Sequence, residues 1–136
     1  MPLNMTKIAY GLDSPTQLRD RLSQRAQEFG GEARILTRYL PKRHEEMKGG
    51  SLYWILDHAL IARSEILGFE QRSEDGRWWI RLSPQLIGVE SQRKRAHQGW
   101  RYLEEKDAPK DLPKGFDASD ALPGKMLGEL HRLGLM

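Results

Sequence analysis

The spacing of hydrophobic positions changes several times along the chain, and each change marks an element. Between Leu3 and Tyr10, the apolar Met5, Ile8 and Tyr10 alternate with polar neighbours and predict a short strand ending at Gly11. Asp13-Ser14-Pro15 then signals a helix start. A Ser N-cap satisfies an orphan amide, and Pro at the first helical position gives up nothing. Leu18, Leu22, Ala26 and Phe29 follow near a 3.6-residue period, and Gly30-Gly31 supplies the stop, so a helix is predicted over 14–29. Arg19, Arg21 and Arg25 fall on its wet side, as an ordinary solvated helix face.

The pattern then turns to period two. EARILTRYLP alternates Ala33, Ile35, Thr37 and Tyr39 with Arg34, Leu36, Arg38 and Leu40, a half-buried strand closed by Pro41. KRHEEMKGG reads as a polar turn or one-turn helix. LYWIL (52–56) is a continuous apolar strand, and Asp57-His58 is a tight connection into LIARSEILGF (60–69). Ser73-Glu74-Asp75-Gly76 is a hairpin signal, because Asp-Gly suits positive φ, and the chain returns through RWWIRL (77–82). Pro84 interrupts before QLIGVE (85–90), so one strand bends or two strands meet there. Trp54 and Trp78 are read as core residues.

Past Glu90 the apolar content falls. SQRKRAHQGW predicts an exposed loop, Trp100–Leu103 a short strand, and residues 105–120 an extended connector. A C-terminal helix is predicted over 121–134, with Leu122, Met126, Leu127, Leu130 and Leu133 on one side. The predicted architecture is α+β in a single domain, 1–136. A small curled antiparallel sheet or β-barrel over 1–104 packs the 14–29 helix, followed by the connector and last helix.

Composition narrows the chemistry. The chain has no Cys, which excludes disulfides, thiolate metal sites and a Cys nucleophile. It contains no apolar run of the ~20 residues a membrane helix needs and no secretory-type N-terminal stretch, so a cytoplasmic protein without a membrane partner is expected. Net charge is +3, but residues 1–103 carry 17 Lys and Arg against 12 Asp and Glu, whereas 104–136 carry 5 against 7. The basic character therefore belongs to the sheet portion.

No enzyme motif stands out. Gly49-Gly50 is too short to cradle a phosphate, and His44-Glu45-Glu46 lacks the second His of a metalloprotease site. The four histidines lie in different elements without ligand spacing, so neither a metal nor a cofactor is expected. Ser51 and Ser64 carry no signature of an activated nucleophile. The informative feature is the interleaving of Arg and Lys with aromatics. Arg38, Lys42 and Arg43 flank the end of the third element, and Arg63 lies inside an apolar strand. Arg93, Lys94, Arg95, His97, Trp100, Arg101 and Tyr102 form the densest basic and aromatic group. Cations neutralise phosphates and aromatic faces stack on unpaired bases.

The runs TRYLPKRHEEMKGGSLYWILDHALIARSEILGF and GWRYLEEKDAPKDLP resemble the bacterial family called domain of unknown function 1489. The resemblance is sharpest at Pro41-Lys42-Arg43, Gly49 to Trp54, Arg63 and Gly99 to Leu103. It implies a bacterial protein and supplies no activity. A second, fold-level resemblance is to PUA-like barrels, including the ASCH and EVE branches. There EEMKGGSLYWIL and ALIARSEILGF would build the barrel wall, although the GxKxxExR signature of ASCH domains is absent. That resemblance implies binding of RNA or a modified base in a cleft beside the barrel.

The leading expectation is thus a nucleic-acid-binding module, for RNA or a modified or unpaired nucleotide, rather than an enzyme. Arg38, Lys42, Arg43 and Arg63 would contact phosphates, Tyr53, Trp100 and Tyr102 would stack, and Arg93, Lys94, Arg95 and Arg101 would add a basic rim. Two alternatives belong to other classes. One is a small hydrolase or nucleotide-processing enzyme with a cleft of His44, Glu46, Tyr53 and Arg63. The other is an interaction protein that forms a homo-oligomer through the DAPKDLP arm and the last helix.

Overall fold

The computed structural model describes residues 2–9, 11–12, 14–95 and 97–112. The predicted C-terminal helix, and the connector beyond residue 112, lie outside the described residues.

Strand β1 (Asn4–Ile8) leads into helix α1 (Pro15–Glu28) and strand β2 (Ala33–Thr37). A single 3-10 turn at His44–Met47 precedes β3 (Ser51–Leu56), β4 (Ala59–Gln71), β5 (Trp78–Leu82), β6 (Ile87–Arg93) and β7 (Trp100–Leu103). The helix begins as its sequence dictates: the Ser14 hydroxyl accepts from the Gln17 amide at 3.2 Å, with Pro15 in the first position. Such a cap is worth about 1 kcal/mol.

The seven strands form one open mixed sheet in the order β2-β5-β4-β3-β1-β7, with β6 attached to β4. This corrects the expectation of a wholly antiparallel sheet or barrel in two respects. First, β1 and β3 pair in parallel, Met5 opposite Leu52 and Lys7 opposite Trp54. Parallel neighbours need a long crossover, which α1 and β2 provide. Second, the described strands leave β2 and β7 as the ends of the order and do not close.

Strand β4 organises the rest. Its first half pairs with β3 on one side and β6 on the other, and its second half pairs with β5. Register shifts at Leu60/Ala62 and Ile66/Gly68 bend it between these jobs. Pro84 therefore separates two strands that share one partner. The predicted exposed loop at 91–99 is shortened, because Ser91–Arg93 continue β6 and pair with Ala59 and Leu60.

Alternation along β1, β3 and β7 divides the apolar residues between two cores. Leu3, Met5, Leu52 and Trp54 face α1, joined by Leu18, Leu22, Ile35 and Ile80. Tyr53, Ile55, Leu60, Val89 and Leu103 face the other way. Trp54 is a core residue as expected, its indole N–H donating to the Ser64 hydroxyl at 2.9 Å. Trp78 is only half-buried.

Residues 104–112 run over the second core rather than away from the sheet. A 3-10 turn at Glu105–Asp107 leads to a buried Pro109 and a bridge from Asp111 to Val89. The Glu90 amide donates to the Lys110 carbonyl at 2.7 Å, and the Leu112 amide to the Gly88 carbonyl at 2.9 Å. The expected connector is, as far as Leu112, a docked arm.

Candidate functional site

On the α1-facing side, β1 and β7 lie side by side with Lys7 opposite Trp100 and Met5 opposite Tyr102. Period-two alternation puts Lys7, Trp100 and Tyr102 on one face and sends Arg101 to the other. Across from them runs the segment that leaves β2, Thr37 to Lys42. The two stretches enclose a cleft of about 800 Å³, lined by Lys7, Leu36 to Lys42, Gln98 to Trp100, and Tyr102. Its charged side chains are Lys7, Arg38 and Lys42, its aromatic ones Tyr39, Trp100 and Tyr102, and its lining contains no Asp or Glu.

The aromatic wall is held in place. The Trp100 and Tyr102 rings meet edge to face, centroids 4.8 Å apart. The Tyr102 hydroxyl accepts from the Arg43 amide at 3.2 Å, and the Arg43 guanidinium lies 5.4 Å from the Tyr102 ring centroid. Trp100 is half-buried against the main core, so its ring is anchored on one side. Tyr39 is 74% exposed at the opposite rim. His97 pins the preceding loop, its Nε2 lying 2.8 Å from the Thr6 hydroxyl, while burial lowers its pKa and favours the neutral ring.

The cations differ in circumstance. Arg38 and Lys42 are exposed, and among the described residues neither side chain makes a hydrogen bond or ion pair. Burial pushes the Lys7 ammonium below its usual range, the mark of a partly desolvated charge. Arg43 is committed elsewhere: it makes a two-pronged contact with Glu46 at 2.7 and 2.8 Å and reaches Glu104 at 3.2 Å. Those hydrogen bonds hold Glu46 below the usual carboxylate range. Arg43 therefore holds Tyr102 and pairs with Glu46 and Glu104.

The remaining sequence-selected residues are not in the cleft. Tyr53 is 4% exposed in the second core, where burial raises its hydroxyl pKa, and a ring so enclosed presents no face for stacking. Arg63 lies on the same face as Tyr53 and is engaged by the arm. It binds Asp111 through Nε and Nη2, both at 2.8 Å, and donates from Nη1 to the Ser51 hydroxyl at 2.8 Å. The Arg63 contact holds Asp111 below its ordinary pKa. Arg93 ends β6, and the Lys94 amide donates to the His58 carbonyl at 2.8 Å, so 93–95 lie by the β3–β4 turn. Arg101 points away from the cleft with Thr6.

The alternative cleft of His44, Glu46, Tyr53 and Arg63 does not assemble. Tyr53 and Arg63 sit on the arm side, Glu46 is held by Arg43, and His44 packs edge-on to Phe69 at 6.3 Å. The DAPKDLP arm, as far as Leu112, packs on its own sheet.

Sequence reasoning missed Lys7, Tyr39 and Gln98 as cleft residues. Lys7 gave no signal because its role depends on which strand lies beside β1. Tyr39 is expected from sequence in a half-buried strand that runs to Pro41, but the strand ends at Thr37 and leaves Tyr39 exposed. Asp111 was also missed, since an ion pair between residues 48 positions apart leaves no local pattern.

Among the described residues, no helix is long and apolar enough to cross a membrane. No curated protein and no solved structure matches the chain. A family model described as "Protein of unknown function (DUF1489)" matches residues 5–136, a span that includes the whole cleft and the docked arm. The chain belongs to that family.

Proposed function

We propose that the protein is a nucleic-acid-binding module whose cleft takes RNA or an unpaired or modified nucleotide. One observation carries this reading: a single concavity gathers Lys7, Arg38 and Lys42 with Tyr39, Trp100 and Tyr102 and has no acidic side chain in its lining. Cations at the rim would bind phosphate, and the anchored Trp100 ring would stack on a base. The contacts available are sequence-tolerant, because every base has a π-face and every nucleotide a phosphate. The PUA-like resemblance adds no weight, since it concerns the fold alone.

The test is fluorescence anisotropy with single-stranded 12-mers of RNA and DNA over a range of salt. The three cleft cations alone contribute about −2 to the log–log salt slope for single strands. Trp100→Ala is expected to weaken binding by about 1–3 kcal/mol, the cost of losing one stacked base. Flat, unmeasurable binding at low salt to both panels would overturn the reading.

A further inference from the structure

Three concavities of the described structure share their walls. Lys7 lines the cleft and also a smaller cavity of about 120 Å³ between α1 and the sheet. Arg21 and Arg25 line that cavity as well, and both line a third, shallow one of about 350 Å³ beside Phe29 and Trp79. Four residues apart, Arg21 and Arg25 occupy one face of α1. The side chains Arg38 and Lys42, then Lys7, then Arg21 and Arg25 therefore form a succession of cations from the β2 exit to the far end of α1. Glu28, in the third cavity, is the one acidic residue in the three linings.

We infer that the cleft is the beginning of a track for a single polynucleotide strand, not a pocket for one nucleotide. An unpaired base seated at Trp100 and Tyr102 leaves its strand running past Lys7, with following phosphates against Arg21 and Arg25. This rests on the nucleic-acid reading of the cleft. Arg25 donates one Nη1 hydrogen bond to the Arg34 carbonyl at 2.7 Å, which fixes its guanidinium and leaves further donors and the full charge. The far segment reads phosphate only. The Trp79 ring has the Phe29 centroid 5.2 Å away and the Arg72 guanidinium 5.4 Å away, and the track assigns it no base.

Sequence reads these arginines as an ordinary solvated face, and Arg21 is exposed; the track would give that face a ligand. A helix arginine looks the same in sequence whether it faces bulk water or a wall shared with another strand. The pairing of β1 beside the helix makes the difference, because Lys7 and Ile8 reach the cavity that Arg21 and Arg25 line.

The track is tested by binding oligonucleotides of 2, 4, 8 and 12 residues to the full chain and to three variants: Arg21→Ala, Arg21→Ala with Arg25→Ala, and Trp100→Ala. Affinity of the unaltered protein should rise with length and then level off. The double variant should lose that rise, with its salt slope for the 12-mer smaller by about 1.4, and bind the 2-mer unchanged. Arg21→Ala, an exposed change that spares the Arg25–Arg34 contact, should lose about half as much slope. DNA and RNA should show the same length increment, because phosphate and not the 2′-hydroxyl is read. Length-independent binding that still requires Trp100 overturns the track and leaves the cleft standing, as does an increment confined to RNA. Failure of every length to bind, with Trp100→Ala indistinguishable from the unaltered protein, overturns the cleft and the track together.

Discussion

The two faces of the β7-β1-β3-β4 portion of the sheet carry similar residue types in opposite circumstances. On the arm face, Arg63 is bound by both Asp111 oxygens and by Ser51, and Tyr53 is sealed into a core. On the cleft face, Arg38 and Lys42 stand exposed beside Trp100 and Tyr102, with no carboxylate in the lining. The difference comes from chain routing. Residues 104–112 carry acidic side chains onto one face, where Glu105 accepts from the Asn4 side-chain amide at 2.7 Å and Asp111 meets Arg63, while Glu104 reaches Arg43 and neither Arg38 nor Lys42. An arginine met by a carboxylate holds the fold together; one left without a partner attracts anions. The same residue type is thus tied into the fold on one face and left exposed, available for the proposed binding, on the other.

The largest expected effect removes the scaffold on which both faces depend. Gly50 lies between the 3-10 turn and β3, its amide donating to Met47 and its carbonyl accepting from Ile66. A Cβ at this position would stand 2.2 Å from the Leu3 carbonyl oxygen, a clash with backbone that cannot rotate away. Gly50→Ala should destabilise the protein by about 2–3 kcal/mol and weaken both faces together. Urea unfolding followed by tryptophan fluorescence measures it. An unchanged midpoint would show that the Leu3 approach relaxes without cost.

The second prediction separates the faces. Arg63→Met keeps the apolar stem and removes the hydrogen bonds to Asp111 and Ser51. Charge-assisted bonds contribute about 1.5–3 kcal/mol when well shielded. The Asp111 side chain is 46% exposed, so solvent screening lowers the expected loss to about 1–2 kcal/mol. Hydrogen exchange should accelerate at the amides of Glu90 and Leu112, and oligonucleotide binding should hold. The reciprocal variant, Arg38→Ala with Lys42→Ala, should leave the unfolding midpoint unchanged and reduce the salt slope of binding by about 1.4. If Arg63→Met abolished binding while the folded fraction stayed constant, the faces would not be independent.

The same pair sets an acid dependence. Its hydrogen bond to Arg63 holds the folded-state pKa of Asp111 below the unfolded value of about 3.9. The unfolded chain therefore binds the proton first, and the stabilisation is fully present above that value. It is lost as pH falls from about 4 through the folded pKa. Amide protection in residues 104–112 should decline over this interval, whereas Asp111→Asn should be weakened from the outset and show no matching step. A step of equal size in the Asn variant would assign the acid response to another carboxylate.

The sequence displayed local structure well and long-range pairing poorly. Ser14-Pro15 and Gly30 bounded α1, Asp57-His58 marked the β3–β4 connection, and Asp75-Gly76 marked the next turn, because each signal is a property of a few adjacent residues. Parallel pairing of β1 with β3 was invisible, since alternation within a strand does not name its neighbour. For the site, Arg38, Lys42, Trp100 and Tyr102 were recognisable as chemistry and do share the cleft. Arg63 and Tyr53 were equally conspicuous in sequence and lie on the other face. Only register distinguishes them: Tyr53 is opposite Thr6 and Arg63, whereas Trp100 is opposite Lys7.

The smallest expected effect concerns the β3–β4 turn. Asp57 and His58 both have positive φ, 52° and 61°, the backbone of a two-residue hairpin turn that favours Asn-Gly. A residue as bulky as His costs about 1 kcal/mol there relative to Gly, partly offset by the greater freedom of Gly in the unfolded chain. His58→Gly should therefore stabilise the protein by about 0.5 kcal/mol, read as a small rise in the urea midpoint. The His58 carbonyl also accepts from the Lys94 amide and so tethers the start of the loop that carries Gln98, Gly99 and Trp100 to the cleft. Glycine keeps that carbonyl, so oligonucleotide binding should not change. A loss of affinity alongside the gain in stability would mean that the turn sets the geometry of the cleft, through the contact of the Lys94 amide with the His58 carbonyl.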